Sequence, residues 1–234
     1  MKYLLITLVI IISISNCYSQ SNQEDKTGSW FTYAGTHQVS DKFSISTLSQ
    51  VWMFELAENF NFILFYGGLN YHVSPKFTTT LAYGYGDIDG GFYTDKPHTY
   101  ENRIFEQIGY KHKISNFPID HRFRIEQRFI HKLEFKETLH RLRYRLGTKI
   151  KLNKSLFIRL HNEFLATIDD DVLTENRLYS ALGINISKSC NLQLGYLNRK
   201  IKGLNLHRLQ VGIFIKTDHR KKKLNRKWKS FWTV

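Results

Sequence analysis

The stretch from Arg122 to Leu152, RFRIEQRFIHKLEFKETLHRLRYRLGTKIKL, carries the clearest structural signal in the chain. Charged and apolar side chains alternate with a period of two over residues 122–136, and again over residues 141–152. Successive side chains of a β-strand point to opposite faces, so each half predicts a strand with one charged and one apolar face. A soluble sheet buries its apolar face, whereas a transmembrane β-barrel turns that face toward lipid and encloses the charges.

The N-terminus predicts export. Lys2 precedes an apolar segment at residues 3–14, and Cys17 and Ser19 stand at the −3 and −1 positions of a signal-peptidase site. The apolar segment is shorter than the roughly 20 residues that a membrane-spanning helix needs. We therefore expect a signal peptide that is cleaved after Ser19. A lipoprotein signal with Cys17 as the lipidated residue is the disfavoured alternative, because Asn16 is larger than such signals accept.

The chain is strongly basic, with a formal net charge of +14. In a soluble protein this charge would suggest a nucleic-acid partner. Export argues against nucleic acid, and part of the positive charge is distributed along strand faces. The sequence instead predicts outer-membrane lipids as partners, and small anions if the charged faces line a lumen.

Short polar turn signals recur between apolar flanks, as expected for hairpins. They lie at residues 39–43, 73–77, 114–118, 152–156 and 186–190. The intervals leave room for two strands each and for a second connection, which we expect to be longer, as in outer-membrane barrels. The predicted strands are 29–39, 43–56, 61–73, 77–87, 100–114, 119–133, 138–152, 156–167, 175–187, 191–201 and 207–217.

This pattern predicts an all-β fold, a closed antiparallel up-and-down transmembrane barrel of 10–12 strands. Ten strands would result if the first predicted segment lies outside the sheet, and twelve if Trp228–Val234 forms one more. The predicted organisation is a signal peptide at 1–19, a short N-terminal segment at 20–28, the barrel at 29–217 and a basic C-terminal tail at 218–234. The predicted location is the cell outer membrane. A secreted soluble β-barrel binding protein is the structural alternative.

Six short motifs, taken in order along the chain, resemble the DUF2490 family. They are Ile104–Gln107, His121–Phe129, Arg141–Leu146, Asn162–Phe164, Glu175–Leu178 and Leu194–Tyr196. The resemblance covers nearly the whole chain after the signal peptide. It implies an outer-membrane β-barrel of the kind common in Bacteroidetes-type bacteria, without an established function, and it supplies no catalytic residues. The basic tail after Thr217 is an addition to the family pattern.

The inward-facing charges are the candidate functional residues. We predict a lumen charge network formed by Arg103, Arg122, Arg124, Glu126, Arg128, Arg141, Arg143, Arg145, Arg159, Glu163 and Arg177. Glu101 and Glu175 are expected among them on the same inward face. Arginine keeps its charge when buried and pairs with carboxylates through two parallel hydrogen bonds. The network therefore has two interpretations: a structural filling of the lumen, or a narrow passage for small anionic solutes.

Catalytic and metal-binding motifs are weak. His98, His131, His140 and His161 are the candidates for a lipid-modifying enzyme, but none stands in a recognised nucleophile motif. Acidic runs at residues 87–91 and 169–171 do not match a full calcium loop. We therefore predict no enzyme activity, no metal and no cofactor.

Aromatic residues are expected at the two lipid–water boundaries, where their amphipathic rings are favoured. The candidates for these girdles are Trp30, Trp52, Phe65, Tyr66, Tyr83, Tyr85 and Tyr196.

Overall fold

The computed structural model describes residues 27–91, 97–168 and 172–220, which form eleven β-strands. The strands are β1 (Gly28–Gln38), β2 (Phe43–Met53), β3 (Phe60–His72), β4 (Phe77–Ile88), β5 (Thr99–Ile114), β6 (Phe117–His131), β7 (Lys136–Lys151), β8 (Leu156–Ile168), β9 (Leu173–Asn185), β10 (Cys190–Ile201) and β11 (Leu204–Asp218). They agree with the predicted segments to within a few residues. The predicted signal peptide, the possible strand Trp228–Val234 and nearly all of the predicted basic tail lie outside the described residues.

The eleven strands close into one barrel. Each strand pairs antiparallel with the next along the chain, and β1 closes the sheet by pairing with β11. This closing pair is parallel, with Gly28 opposite Arg208 and Gln38 opposite Asp218. In an up-and-down barrel with an odd number of strands, the first and last strands run in the same direction, so their pairing must be parallel. The predicted closed barrel of 10–12 strands is confirmed, and this seam is its one departure from a purely antiparallel order within the described chain.

The two faces of the barrel are arranged as the alternation predicts. On β6, Phe123 and Ile125 are 41% and 42% exposed, whereas Arg124 and Glu126 between them are 4% and 0% exposed. On β7, Leu142 is likewise exposed and faces away from the lumen. The apolar side chains therefore form the outer surface, and the charged side chains are enclosed.

The connections define two rims. The turn-side rim contains residues 39–42, 73–76, 115–116, 152–155 and 186–189. The described part of the loop-side rim contains residues 54–59, 89–91, 97–98, 132–135, 172 and 202–203. The loop-side connections were predicted to be longer than the turn-side connections, and this difference is only partly present. Two loop-side connections, 54–59 and 89–98, exceed the turns, whereas Lys202–Gly203 is a two-residue hairpin in which both residues have positive φ.

Candidate functional site: the charged lumen

The charged residues of the lumen lie mainly on β5 to β9, where inward positions alternate with outward apolar ones. All eleven residues of the predicted network occupy inward positions. Seven are buried: Arg103, Arg124, Glu126, Arg141, Arg143, Glu163 and Arg177. Four are half-buried: Arg122, Arg128, Arg145 and Arg159.

Glu126 is the centre of the network. Its carboxylate accepts hydrogen bonds from Arg141 Nε at 2.6 Å, Arg143 Nη1 at 2.9 Å and Arg124 Nη1 at 3.2 Å. A fourth guanidinium, that of Arg103, approaches to 3.9 Å. Isolated charges are very costly to bury, and the guanidinium groups that surround this carboxylate from three strands offset that cost.

Two further carboxylates extend the network along the lumen. Arg143 donates through Nε and Nη2 to the two oxygens of Glu163, both at 2.9 Å, and Arg122 donates to the same carboxylate at 2.5 Å. Glu101 accepts from Arg128 Nε and Nη2 at 2.9 and 2.8 Å and from Arg103 Nε at 2.7 Å. Each carboxylate is thus shared by at least two guanidinium groups.

Smaller groups lie nearer the rims. Toward the turn side, Asp120 accepts from Arg159 at 2.5 and 2.8 Å and from Arg145 at 3.5 Å. Toward the loop side, Glu175 pairs with Arg177 and Arg199.

The opposite wall of the lumen, formed by β1 to β4, carries aromatic and small residues where β5 to β9 carry charges. Trp30 and Trp52 stack with ring centroids 4.0 Å apart and planes 5° apart, and Arg177 lies over both rings at 5.2 and 5.4 Å. The Arg124 guanidinium lies 5.7 Å from the ring centroid of Tyr66 on β3 and 3.9 Å from that of Phe105 on β5, the strand next to its own. Arginine stacks well on aromatic faces. Because arginines outnumber carboxylates in the lumen, the rings provide further favourable contacts for the guanidinium groups.

These contacts correct part of the girdle prediction. Trp30, Trp52 and Tyr66 face the lumen and not the lipid boundary, because their positions share parity with the inward side of their strands. Alternation does not distinguish the faces there, since β1 to β3 are apolar or weakly polar on both sides. Phe65, Tyr83, Tyr85 and Tyr196 are exposed on the outer surface.

Sequence reasoning omitted two members of the ion-pair network, Asp120 and Arg199. Asp120 precedes Arg122 by two residues, so the same alternation would have found it. Arg199 follows Leu197 on the inward side of β10, where an apolar neighbour obscures the charged face.

The four histidines considered for catalysis are not brought together. His98 lies on the loop side and contacts Asp87 at 2.8 Å, whereas His161 lies in the lumen with its ring centroid 4.7 Å from that of Tyr179. His131 and His140 occupy outward positions on β6 and β7. Across the described ranges, no group of three or more histidine, cysteine or acidic residues is placed to hold a metal, and residues 169–171 fall outside those ranges. Within residues 27–91, 97–168 and 172–220, no helix is long and apolar enough to cross a membrane.

A closed sheet with an apolar outer face and an enclosed charge network defines a β-barrel of the outer-membrane type. The chain belongs to the DUF2490 family, described as a protein of unknown function, whose profile matches residues 27–210. No curated protein matches the chain. Among solved structures, the crystal structure of the siderophore receptor PirA from Pseudomonas aeruginosa is similar over 75% of this chain, with 11% identity and a TM-score of 0.35. The match spans 35% of that receptor, so the present chain corresponds to about a third of its length.

Proposed function

We propose that this protein resides in the bacterial outer membrane as a barrel whose lumen is closed at mid-height by its own side chains, and that its role is structural. The outward apolar face supports the membrane location, since exposed residues such as Leu81, Leu182 and Leu194 would otherwise contact water. Membrane association is tested by fractionation. The protein is expected in the detergent-extracted envelope fraction, with a gel mobility that changes on heating. Recovery in the soluble fraction without detergent would support the secreted alternative.

The complete burial of Glu126 is the observation that carries the closed-lumen proposal. Four guanidinium groups surround this carboxylate, and the side chains of Arg103, Arg124 and Arg143 are each less than 10% exposed. A continuous water column at this height would expose these groups. The ion pairs therefore act as a built-in plug that also fixes strand register.

Planar-bilayer recordings test the plug. The wild-type barrel is expected to show no steady conductance. Replacing Arg124 and Arg143 together with alanine removes two guanidinium groups beside Glu126 and is expected to produce conductance. Lys132→Ala, which removes a cation from an exposed loop-side ion pair, is the matched control and is expected to remain silent. A silent double variant that is shown to be folded would contradict the plug.

A second candidate function is a narrow passage for small anionic solutes. The lumen ion pairs described above contain ten arginines (Arg103, Arg122, Arg124, Arg128, Arg141, Arg143, Arg145, Arg159, Arg177 and Arg199) and five carboxylates (Glu101, Asp120, Glu126, Glu163 and Glu175). This twofold excess favours anions over cations in any open path. Conductance of the wild-type barrel with an anion-selective reversal potential would support the passage over the plug.

A further inference from the structure

We propose that the turn-side half of the lumen contains a binding site for a small oxyanion of the phosphate class, formed by Arg122, Arg145, Arg159 and His161. The site lies on three adjacent strands. Arg122 on β6 is directly opposite Arg145 on β7, and His161 on β8 is opposite Gly147, two residues beyond Arg145. The proposal goes beyond a structural role and does not depend on whether the lumen is closed at mid-height.

Three buried polar atoms without a partner in the described chain lie close together in this region. The Nε atoms of Arg122 and Arg145 and the Nδ1 atom of His161 are buried without a hydrogen-bond partner among the described residues. An arginine Nε–H is always a donor, and leaving a buried donor unpaired costs about 1–3 kcal/mol. A neutral imidazole can also donate from Nδ1. Three donors on neighbouring strands thus lack acceptors in one part of the lumen.

The nearby carboxylates are already used. Asp120 accepts from Arg159 and Arg145, and Glu163 is engaged by both prongs of Arg143 as well as by Arg122. No carboxylate of the described network is therefore left to satisfy the remaining donors. An external anion would supply both the missing acceptors and negative charge.

Solvent reaches this region more than it reaches the side chains around Glu126. The side chains of Arg122, Arg145 and Arg159 are 16%, 23% and 17% exposed, whereas those around Glu126 are at most 10% exposed. Lys149 and Lys216 lie at inward positions closer to this rim, and Lys216 interacts electrostatically with Lys149 and Arg159. Positively charged side chains near the rim raise the local concentration of anions.

The arrangement of the donors favours a tetrahedral oxyanion. Guanidinium groups match the paired oxygens of phosphate, and donors on different strands can each reach a different oxygen of a four-oxygen anion. A halide can accept several hydrogen bonds, but all of them must converge on one centre, so it fits donors spread over three strands less well.

The test is calorimetric titration of inorganic phosphate into the refolded barrel in an uncharged detergent, in chloride buffer at constant ionic strength. The wild-type protein is expected to bind one phosphate saturably, with acetate binding more weakly. Arg145→Lys keeps the charge and removes the Nε donor, whereas Arg122→Gln removes the charge and the Nε donor of the guanidinium and keeps only an uncharged amide. Each variant is expected to weaken binding about tenfold or more. Arg199→Gln is the matched control, because it removes the same charge from the loop-side Glu175 pair and is expected to change the affinity by less than about twofold.

Two results would overturn the proposal. Absence of saturable heat with the wild-type protein at millimolar phosphate would mean that water satisfies the donors. Equal weakening by Arg199→Gln and Arg145→Lys would mean that phosphate responds to the general positive field of the lumen. Heat-dependent gel mobility verifies folding of each variant, and the wild-type titration decides the first result even if a variant fails to fold.

Discussion

Arg143 bridges Glu163 and Glu126. It donates through Nε and Nη2 to the two oxygens of Glu163, and its Nη1 donates to Glu126, all at 2.9 Å. This single guanidinium connects β6, β7 and β8 across the interior. The lumen ion pairs are therefore a connected network here, and removing one carboxylate affects several arginines at once.

Glu126→Gln is expected to destabilise the barrel strongly. The amide keeps the shape of the side chain but leaves four guanidinium groups without their shared negative charge. Breaking a buried ion pair by removing one partner costs about 3–5 kcal/mol, and we expect a loss in this range. Guanidinium-induced unfolding in detergent micelles, followed by tryptophan fluorescence, measures the free energy of unfolding.

Glu137→Gln is the control for that variant. Glu137 pairs with Lys132 at 3.2 Å on the loop-side rim, where both side chains are well exposed. Exposed pairs contribute about 0–1 kcal/mol, so a small effect is expected. Similar losses for the two variants would show that burial of Glu126 does not determine the cost.

Glu106 provides a test of which face meets lipid. It lies near the middle of β5 on the outer face, with Leu81 and Ile125 as its cross-strand partners. A charge on the lipid face is unfavourable, so Glu106→Leu is expected to stabilise the barrel in phospholipid vesicles by about 1–3 kcal/mol. Urea unfolding in vesicles gives the change.

The same substitution on the opposite face should have the opposite sign. Glu101→Leu, five residues earlier on β5, removes the shared partner of Arg103 and Arg128 and is expected to destabilise the barrel by about 3–5 kcal/mol. Stabilisation by both substitutions, or by neither, would contradict the assignment of the two faces.

The sequence predicts the architecture well where the two faces differ chemically. On β6 and β7, inward charges alternate with outward residues that are mostly apolar, so strand, face and network membership follow largely from parity. The same reasoning fails on β1 to β3, where Trp30, Trp52 and Tyr66 face inward. Either face of these strands could lie toward lipid or toward the lumen. Only closure of the barrel determines which face contacts the arginines.

The hydrogen-bond partners of the inward side chains are harder to predict from the sequence than the face on which each side chain lies. Parity placed Arg143 and Glu163 on the inside, but their hydrogen bonds depend on register, which is set across strands and not within one. The parallel pairing of β1 with β11 depends on the number of strands, which alternation within single strands does not give. Closure of β1 on β11 fixes that number at eleven within the described chain.

Trp52→Leu is expected to destabilise the barrel by about 1–3 kcal/mol, because it removes a stacked indole and two cation–π contacts. Trp52 stacks on Trp30, and Arg177 and Arg199 lie 5.4 and 5.8 Å from its ring centroid. Circular dichroism should also lose the exciton signal of the stacked pair. Phe65→Leu on the exposed outer face is the control and should leave both stability and the exciton signal nearly unchanged.

A disulfide across the seam tests closure of β1 on β11. Tyr33 and Ile213 are paired across the parallel strands and both face outward, so Tyr33→Cys with Ile213→Cys is expected to cross-link under mild oxidation in a chain whose native cysteines are serine. Moving the second cysteine to Ile215, the partner of Gly35, displaces it by about 6–7 Å along the strand and should abolish efficient cross-linking. If a further strand separated β1 from β11, the paired positions would lie about 10 Å apart and neither variant would cross-link. Non-reducing gel mobility of the folded protein distinguishes these outcomes, because only the closed eleven-stranded arrangement favours the first pair over the second.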